Sequence, residues 1–184
     1  MKNTNRCKSL QGRHKMNRFL PDERFLPAVV QLIQPAQTTV MISTYKLEHT
    51  MRTRGDALRV VFEALVAAKQ KGVNVKVLLN WNDLKRSVAK TNLYAMTWLS
   101  NHGIEARYLD NNRCCHAKMI IVDKNVIILG SHNLSCKSVM ENLEASIETD
   151  DKEIVEQAVK LFEVAWKSAG TLKHIQPAPT RASV

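Results

Sequence analysis

Apolar residues recur every three or four positions in four stretches of the chain and fall into short runs or strict alternation in six others, which predicts alternating helices and strands. Residues 22–35 have helical spacing, entered at Pro21-Asp22 and stopped by Pro35, and the β-branched, alternating residues 38–45 predict a strand. From Gly55 to Lys71, Leu58, Val61, Phe62, Leu65, Val66 and Ala68 share a helical face that ends at Gly72, and Val73 to Leu79 follows as a buried strand. Ser87 to His102 repeats the helical pattern with Leu93, Met96, Trp98 and Leu99, stops at Gly103, and leads into a strand at Ile104 to Tyr108. Two further strands, 116–122 and 125–133, flank Asp123-Lys124-Asn125, whose turn chemistry predicts a hairpin. A short helical or irregular stretch, a strand at about Leu143 to Glu148 and a helix from Asp151 to about Ser168 complete the order. This alternation implies an α/β domain with a mixed β-sheet sandwiched by helices. With no internal repeat or linker visible, residues 21–170 read as one domain, preceded by a basic arm at 1–20 and followed by a tail at 171–184.

The predicted hairpin carries the chemistry. Side-chain alternation puts His116 and Lys118 on one face of its first strand and Ser131 and Asn133 on one face of its second, so four polar side chains converge on one patch. A neutral imidazole can attack phosphorus, and an ammonium and an amide can hold phosphate oxygens. Gly130 interrupts the second strand where a missing side chain would admit another backbone or a ligand.

The run His116-x-Lys118, four residues, Asp123, six residues, Gly130-Ser131-x-Asn133 resembles the signature of the phospholipase D superfamily at every fixed position. Downstream, Asn142-Leu143-Glu144 resembles the Asn-x-Glu that follows in that family, and the similarity extends from about Asp22 to Gly170, closest to its small single-motif endonucleases. The resemblance implies a phospholipase D/nuclease-like fold and a set of roles. His116 would be the nucleophile that forms a phosphohistidine, and also the general acid and base. Lys118 and Asn133 would hold the non-bridging oxygens, Ser131 and Glu144 would fix the imidazole tautomer, and Asp123 would be structural, at the turn. Family sites are built from two copies of the motif, whereas here no histidine other than His116 is followed two residues on by lysine. The resemblance therefore implies a homodimer with a shared site, in which two lysines supply the positive charge and neither metal nor cofactor is required.

Composition changes this picture only at the margins. The net charge is +10, but Lys2, Arg6, Lys8, Arg13, Lys15 and Arg18 meet no acidic residue up to Leu20, which leaves +4 for residues 21–184. The arm reads either as solvated chain or as a strip that follows a nucleic-acid backbone, and neither reading identifies the reaction. No apolar run approaches the about 20 residues that a membrane span needs, and the basic, polar start does not read as a signal peptide. Four cysteines without a disulfide framework fit a cytoplasmic protein.

Loops after the first two strands supply candidate substrate contacts: Lys46, Arg52 and Arg54 in one, Trp81 in the other, and Arg113 just ahead of the motif. Each has a plainer reading, the cations as solvated surface and Trp81 as a plug at the edge of the core. Zinc held by Cys114, Cys115, His116, His132 and Cys136 is an alternative with the right atoms but without paired Cys-x-x-Cys spacing. For function, the expectation is a metal-independent phosphodiesterase acting on DNA or RNA. The alternatives are a phospholipid hydrolase or phosphatidyl transferase, and a non-catalytic module that holds phosphate or nucleic acid.

Overall fold

The computed structural model describes residues 16–49, 56–81, 86–110 and 113–174. Eight strands form one sheet: β1 (Asn17–Pro21), β2 (Thr39–Thr44), β3 (Asn74–Asn80), β4 (Glu105–Leu109), β5 (Lys118–Val122), β6 (Val126–Gly130), β7 (Ala145–Thr149) and β8 (Gly170–Thr171). Their spatial order is β1-β7-β6-β5-β2-β3-β4-β8. Five α-helices, α1 (Asp22–Ile33), α2 (Asp56–Gln70), α3 (Arg86–Asn101), α4 (Cys136–Met140) and α5 (Lys152–Ser168), and a short 3-10 turn at Leu172–His174 complete the described residues. Among them, no helix is long and apolar enough to cross a membrane.

The sheet is mixed because its connections differ. β2, β3 and β4 are parallel, joined by crossovers through α2 and α3, whereas β5, β6 and β7 run antiparallel, β5 and β6 through a tight turn and β6 and β7 through residues 131–144, which carry α4. β2 and β3 bury nearly every side chain, as strands covered on both faces must. One face packs Val40, Ile42, Val77 and Leu79 against α1, α2 and α3 in the larger core. The other packs Met41, Leu78, Ile121 and Ile127 against Val155, Phe162 and Trp166 of α5. α5 begins where Asp151 caps it, accepting from the amides of Glu153 and Ile154.

The predicted helices and strands occur with ends shifted by one or a few residues, and two strands are additional. Residues 17–20, expected to belong to the basic arm, form β1 together with Pro21, and residues 1–15 of that arm lie outside the described residues. β1 escapes a hydrophobicity pattern because it is an edge strand with only Leu20 buried. It is held by its ladder to β7 and by Arg18, whose guanidinium meets Glu148 at 2.5 Å and 2.7 Å.

The β5–β6 turn is fastened at its tip. Asp123 and Lys124 have φ of 51° and 55°, the positive values that both central residues of a type I′ hairpin turn adopt. The Asp123 carboxylate accepts from four donors on the chain entering β2: the amides of Gln37 at 2.9 Å, Thr38 at 2.7 Å and Thr39 at 2.9 Å, and the Thr38 hydroxyl at 2.9 Å. Burial pushes this carboxyl up, but the hydrogen bonds outweigh it and hold it below the ordinary carboxylate range. Replacing Asp123 with Ala should cost about 1–3 kcal/mol, read from urea unfolding at neutral pH. Because the folded-state pKa is lowered, this contribution is complete above the unfolded value of about 3.9 and disappears as pH falls through the folded one, so the two proteins should converge in acid.

Candidate active site

At the end of the hairpin opposite Asp123, the motif residues gather around the end of β2. His116 is exposed, just ahead of β5, and Lys118 is the first residue of that strand. Lys118 Nζ lies 3.1 Å from His116 Nδ1 and donates to the His116 carbonyl at 2.6 Å, so the two side chains share a face although β5 starts two residues later than the sequence suggests. The Tyr45 ring stands beside both, with its centroid 5.2 Å from that of His116 and 5.7 Å from Lys118 Nζ. Partial burial lowers the Lys118 pKa, while Cys115, Cys114 and Glu144 pull it back up. Beneath Lys118 is a void of about 10 Å³, walled in part by Thr44, His132 and Ser146.

The second half of the motif departs from simple alternation. β6 ends at Gly130, and Ser131 and Asn133 turn to different neighbours instead of sharing a strand face. Ser131 Oγ accepts from the Ala145 amide at 3.1 Å and donates to the Ala145 carbonyl at 3.3 Å, tying the segment to β7. Asn133 Oδ1 accepts from the Thr44 hydroxyl at 3.2 Å and the Lys46 amide at 3.3 Å, on the same turn that carries Tyr45. Between them, His132 takes the inward position, its ring buried and stacked on Phe25 at 4.0 Å with Nδ1 2.8 Å from Ser146 Oγ. That inserted ring ends the pleat. Gly130 is needed for a close backbone approach: a Cβ there would lie 2.5 Å from Ser146 Cα and would also strike the Ala145 carbonyl.

Glu144 is built into the same network. Its Oε1 accepts from the Ser138 hydroxyl at 2.9 Å and from Asn142 Nδ2 at 3.0 Å, and its amide donates to Asp22 Oδ1 at 2.6 Å. Burial raises its pKa, but hydrogen bonds from Asn142, Ser131 and Ser138 and the nearby His132 outweigh that, so the carboxyl stays ionised below its ordinary range. Ser138 is the link that sequence reasoning missed: fully buried on α4, it accepts from the Asn133 amide at 2.8 Å while donating to Glu144. The sequence alternatives name His132 only as a zinc ligand, although its place between Ser131 and Asn133 in the Gly-Ser-x-Asn run marks it as facing the opposite way, into the core.

The other sequence candidates are dispersed. Asp123 lies at the far end of the hairpin. Lys46 contributes its backbone amide to Asn133, and its ammonium sits 3.4 Å from Glu48. Trp81 is half-buried against the larger core, with its ring 5.4 Å from that of Tyr108. Arg113 lines a cleft beside His116. Arg52 and Arg54 lie outside the described residues. For the zinc alternative, no group of three or more His, Cys, Asp or Glu is arranged to hold a metal ion among the described residues. Cys115 is buried with its thiol 3.4 Å from Ser43 Oγ, and burial pushes that thiol up.

A mixed sheet between unequal helical layers thus carries a histidine–lysine pair at the end of its central hairpin, with an ionised glutamate held nearby. The chain belongs to the phospholipase D superfamily: the pattern described as "Cardiolipin synthase, PLD-like domain" matches residues 29–166. A "Phospholipase D" of Rickettsia typhi is 27% identical over 147 residues, 80% of this chain and 65% of that protein. The human "Mitochondrial cardiolipin hydrolase" is 30% identical over 105 residues, 57% of this chain and 40% of that one, so the chain spans less than two thirds of either relative. Among solved structures, Nuc of Salmonella typhimurium, a phospholipase D family member, superposes with a TM-score of 0.72 at 22% identity over 85% of this chain and 97% of its own. NucT of Helicobacter pylori does so with a TM-score of 0.68 at 18% identity, covering 86% and 99%. These two likenesses show a shared fold.

Replacing Ser138 with Ala would leave the Asn133 amide without its acceptor and remove a donor from Glu144. Denaturant unfolding should show a loss of about 1–3 kcal/mol. A carbon-detected NMR titration should show the Glu144 carboxyl moving up toward its ordinary range.

Proposed function

We propose that this protein is a phosphodiesterase that cleaves nucleic acid through a phosphohistidine on His116, at a site completed by a second copy of the chain. The observation that carries this reading is the exposed His116 imidazole with the Lys118 ammonium 3.1 Å away and the glutamate network behind it. With the Lys118 ammonium donating to Nδ1, the neutral imidazole carries its proton on Nε2, and the ring is a general acid only when both nitrogens are protonated. A phosphate that draws Lys118 onto its own oxygens releases Nδ1; as Nδ1 takes up a proton, Nε2 loses its own to solvent, and the Nε2 lone pair is then free to attack.

In the reaction, His116 Nε2 of one subunit attacks phosphorus, and the bond from phosphorus to the leaving oxygen breaks. The partner subunit's His116, entering as imidazolium, gives that oxygen its proton. The same imidazole then takes a proton from water, whose oxygen attacks phosphorus and breaks the phosphorus–nitrogen bond. Lys118 and Asn133 hold the non-bridging oxygens as charge develops on them, Ser131 and Glu144 position the imidazole, and two lysines supply charge enough for the reading to need no metal. Nucleic acid is favoured by the net charge of +10 and by the resemblance to small single-motif endonucleases. A phospholipid substrate is the second reading. It is favoured by the names of the Rickettsia and human relatives, a phospholipase D and a cardiolipin hydrolase, and by Met140 and Leu143, 63% and 95% exposed beside Glu144.

The test is hydrolysis, in chelator, of plasmid, single-stranded DNA, RNA and phospholipid vesicles. Nucleic-acid cleavage with a bell-shaped pH dependence is expected, and vesicle hydrolysis alone would move the assignment to lipid. Losing a general acid costs about 10²- to 10⁴-fold, and His116→Ala removes nucleophile and acid together, so the loss should exceed that range. A mixed dimer with one His116→Ala subunit should be nearly inactive, and close to half the wild-type rate would refute the shared site.

A further inference from the structure

His116, two residues ahead of β5, stands between two different surroundings. On one side are Lys118 and Tyr45. On the other, toward α5, a cleft of about 100 Å³ opens, with His116 among its lining residues. Leu109, Met119, Leu161 and Phe162 form much of its lining, and Arg113 is the one formally charged side chain among the described residues that line it. Leu161 leaves 46% of its surface exposed on α5, and the Cys115 thiol in the same lining is pushed up by burial, as expected for an apolar wall. The mechanism above uses none of these groups except His116.

A phosphodiester has two ester arms. With phosphorus at His116 and its free oxygens drawn toward Lys118, one arm is directed to the α5 side, where it meets an apolar recess with a guanidinium among its lining groups. Resting on the reading of a nucleic-acid substrate, we propose that this cleft receives one nucleobase next to the scissile phosphate, turned out of a single strand, with Arg113 on the adjoining phosphate. The size of the cleft supports a base over a long acyl chain: it falls short of the about 300–1,000 Å³ of pockets that enclose larger ligands, yet admits one ring system. An unstacked base packs on apolar side chains without being read, so the site takes single strands with little sequence preference, and duplex is a poorer substrate until its ends open.

The experiment compares two single-stranded oligonucleotides of equal length, one with ordinary bases and one with abasic sugars throughout, cleaved by the full chain and by Leu161→Trp, which fills the recess. The wild type should favour the base-bearing strand at least about fivefold in kcat/KM, and Leu161→Trp should bring that ratio close to one. Using a ratio separates the cleft from general damage, because a poorly folded variant loses both rates together and keeps the ratio. Arg113→Gln should lower the salt dependence of binding by about one phosphate contact. Equal cleavage of both strands by the wild type would overturn the cleft while leaving the nuclease reading intact, and so would an unchanged ratio in Leu161→Trp. Hydrolysis of phospholipid vesicles with neither strand cut would overturn both.

Discussion

The antiparallel seating of the β5–β6 hairpin beside β2 is the constraint on which the site depends. β2 runs parallel to β3, so its end at Thr44 leads into a loop, the kind of position where α/β sheets place their chemistry. The hairpin enters from the opposite direction, with Val40 opposite Val122 and Ser43 opposite Met119, which puts its open end at Thr44 and its closed end at Thr39. Asp123 fastens the closed end to the amides of residues 37–39. A one-residue slip would exchange the faces of Lys118 and Met119, sending the ammonium toward α5 and an apolar chain to the side of α1. Four hydrogen bonds at the turn thus protect a geometry at the other end of two five-residue strands.

Around that open end, the backbone provides much of the organisation. Asn133 is held by the chain after β2, Ser131 by Ala145, and Glu144 through Ser138 and the Asp22 carboxylate. Each motif residue is therefore pinned by a different element, and the buried His132 locks the segment from below through Phe25 and Ser146. Such a network keeps polar groups in fixed positions at little entropic cost when a phosphate arrives, which is how preorganised sites stabilise developing charge. The unequal helical layers add a second asymmetry. A polar, half-buried ammonium lies on the side of α1, and an apolar recess on the side of α5, with the exposed imidazole between them.

Much of the fold was legible because most elements obey local rules. The amphipathic spacing of α2 and α5, the β-branched residues of β2, the apolar cluster of β3, and the glycines after α2 and α3 each express a local pattern or a cap that needs no tertiary partner to be read. β1 was not legible, because Asn17-Arg18-Phe19 is polar or exposed and gains its structure from β7 and Glu148 alone. Likewise, alternation gave the right face for His116 and Lys118 but failed beyond Gly130, where the ladder ends and the buried His132 turns inward.

What the sequence determined by itself is the order of the helices and of strands β2 to β7 and the presence of one His-x-Lys motif, since these follow from residue chemistry and local periodicity. Only the tertiary structure decided which groups hold Glu144 and Asn133, that Ser138 joins them, and that His116 borders an apolar cleft closed by α5. Those arrangements join residues far apart in the chain, and long-range register and side-chain packing, unlike periodicity, leave no mark on any short stretch of sequence.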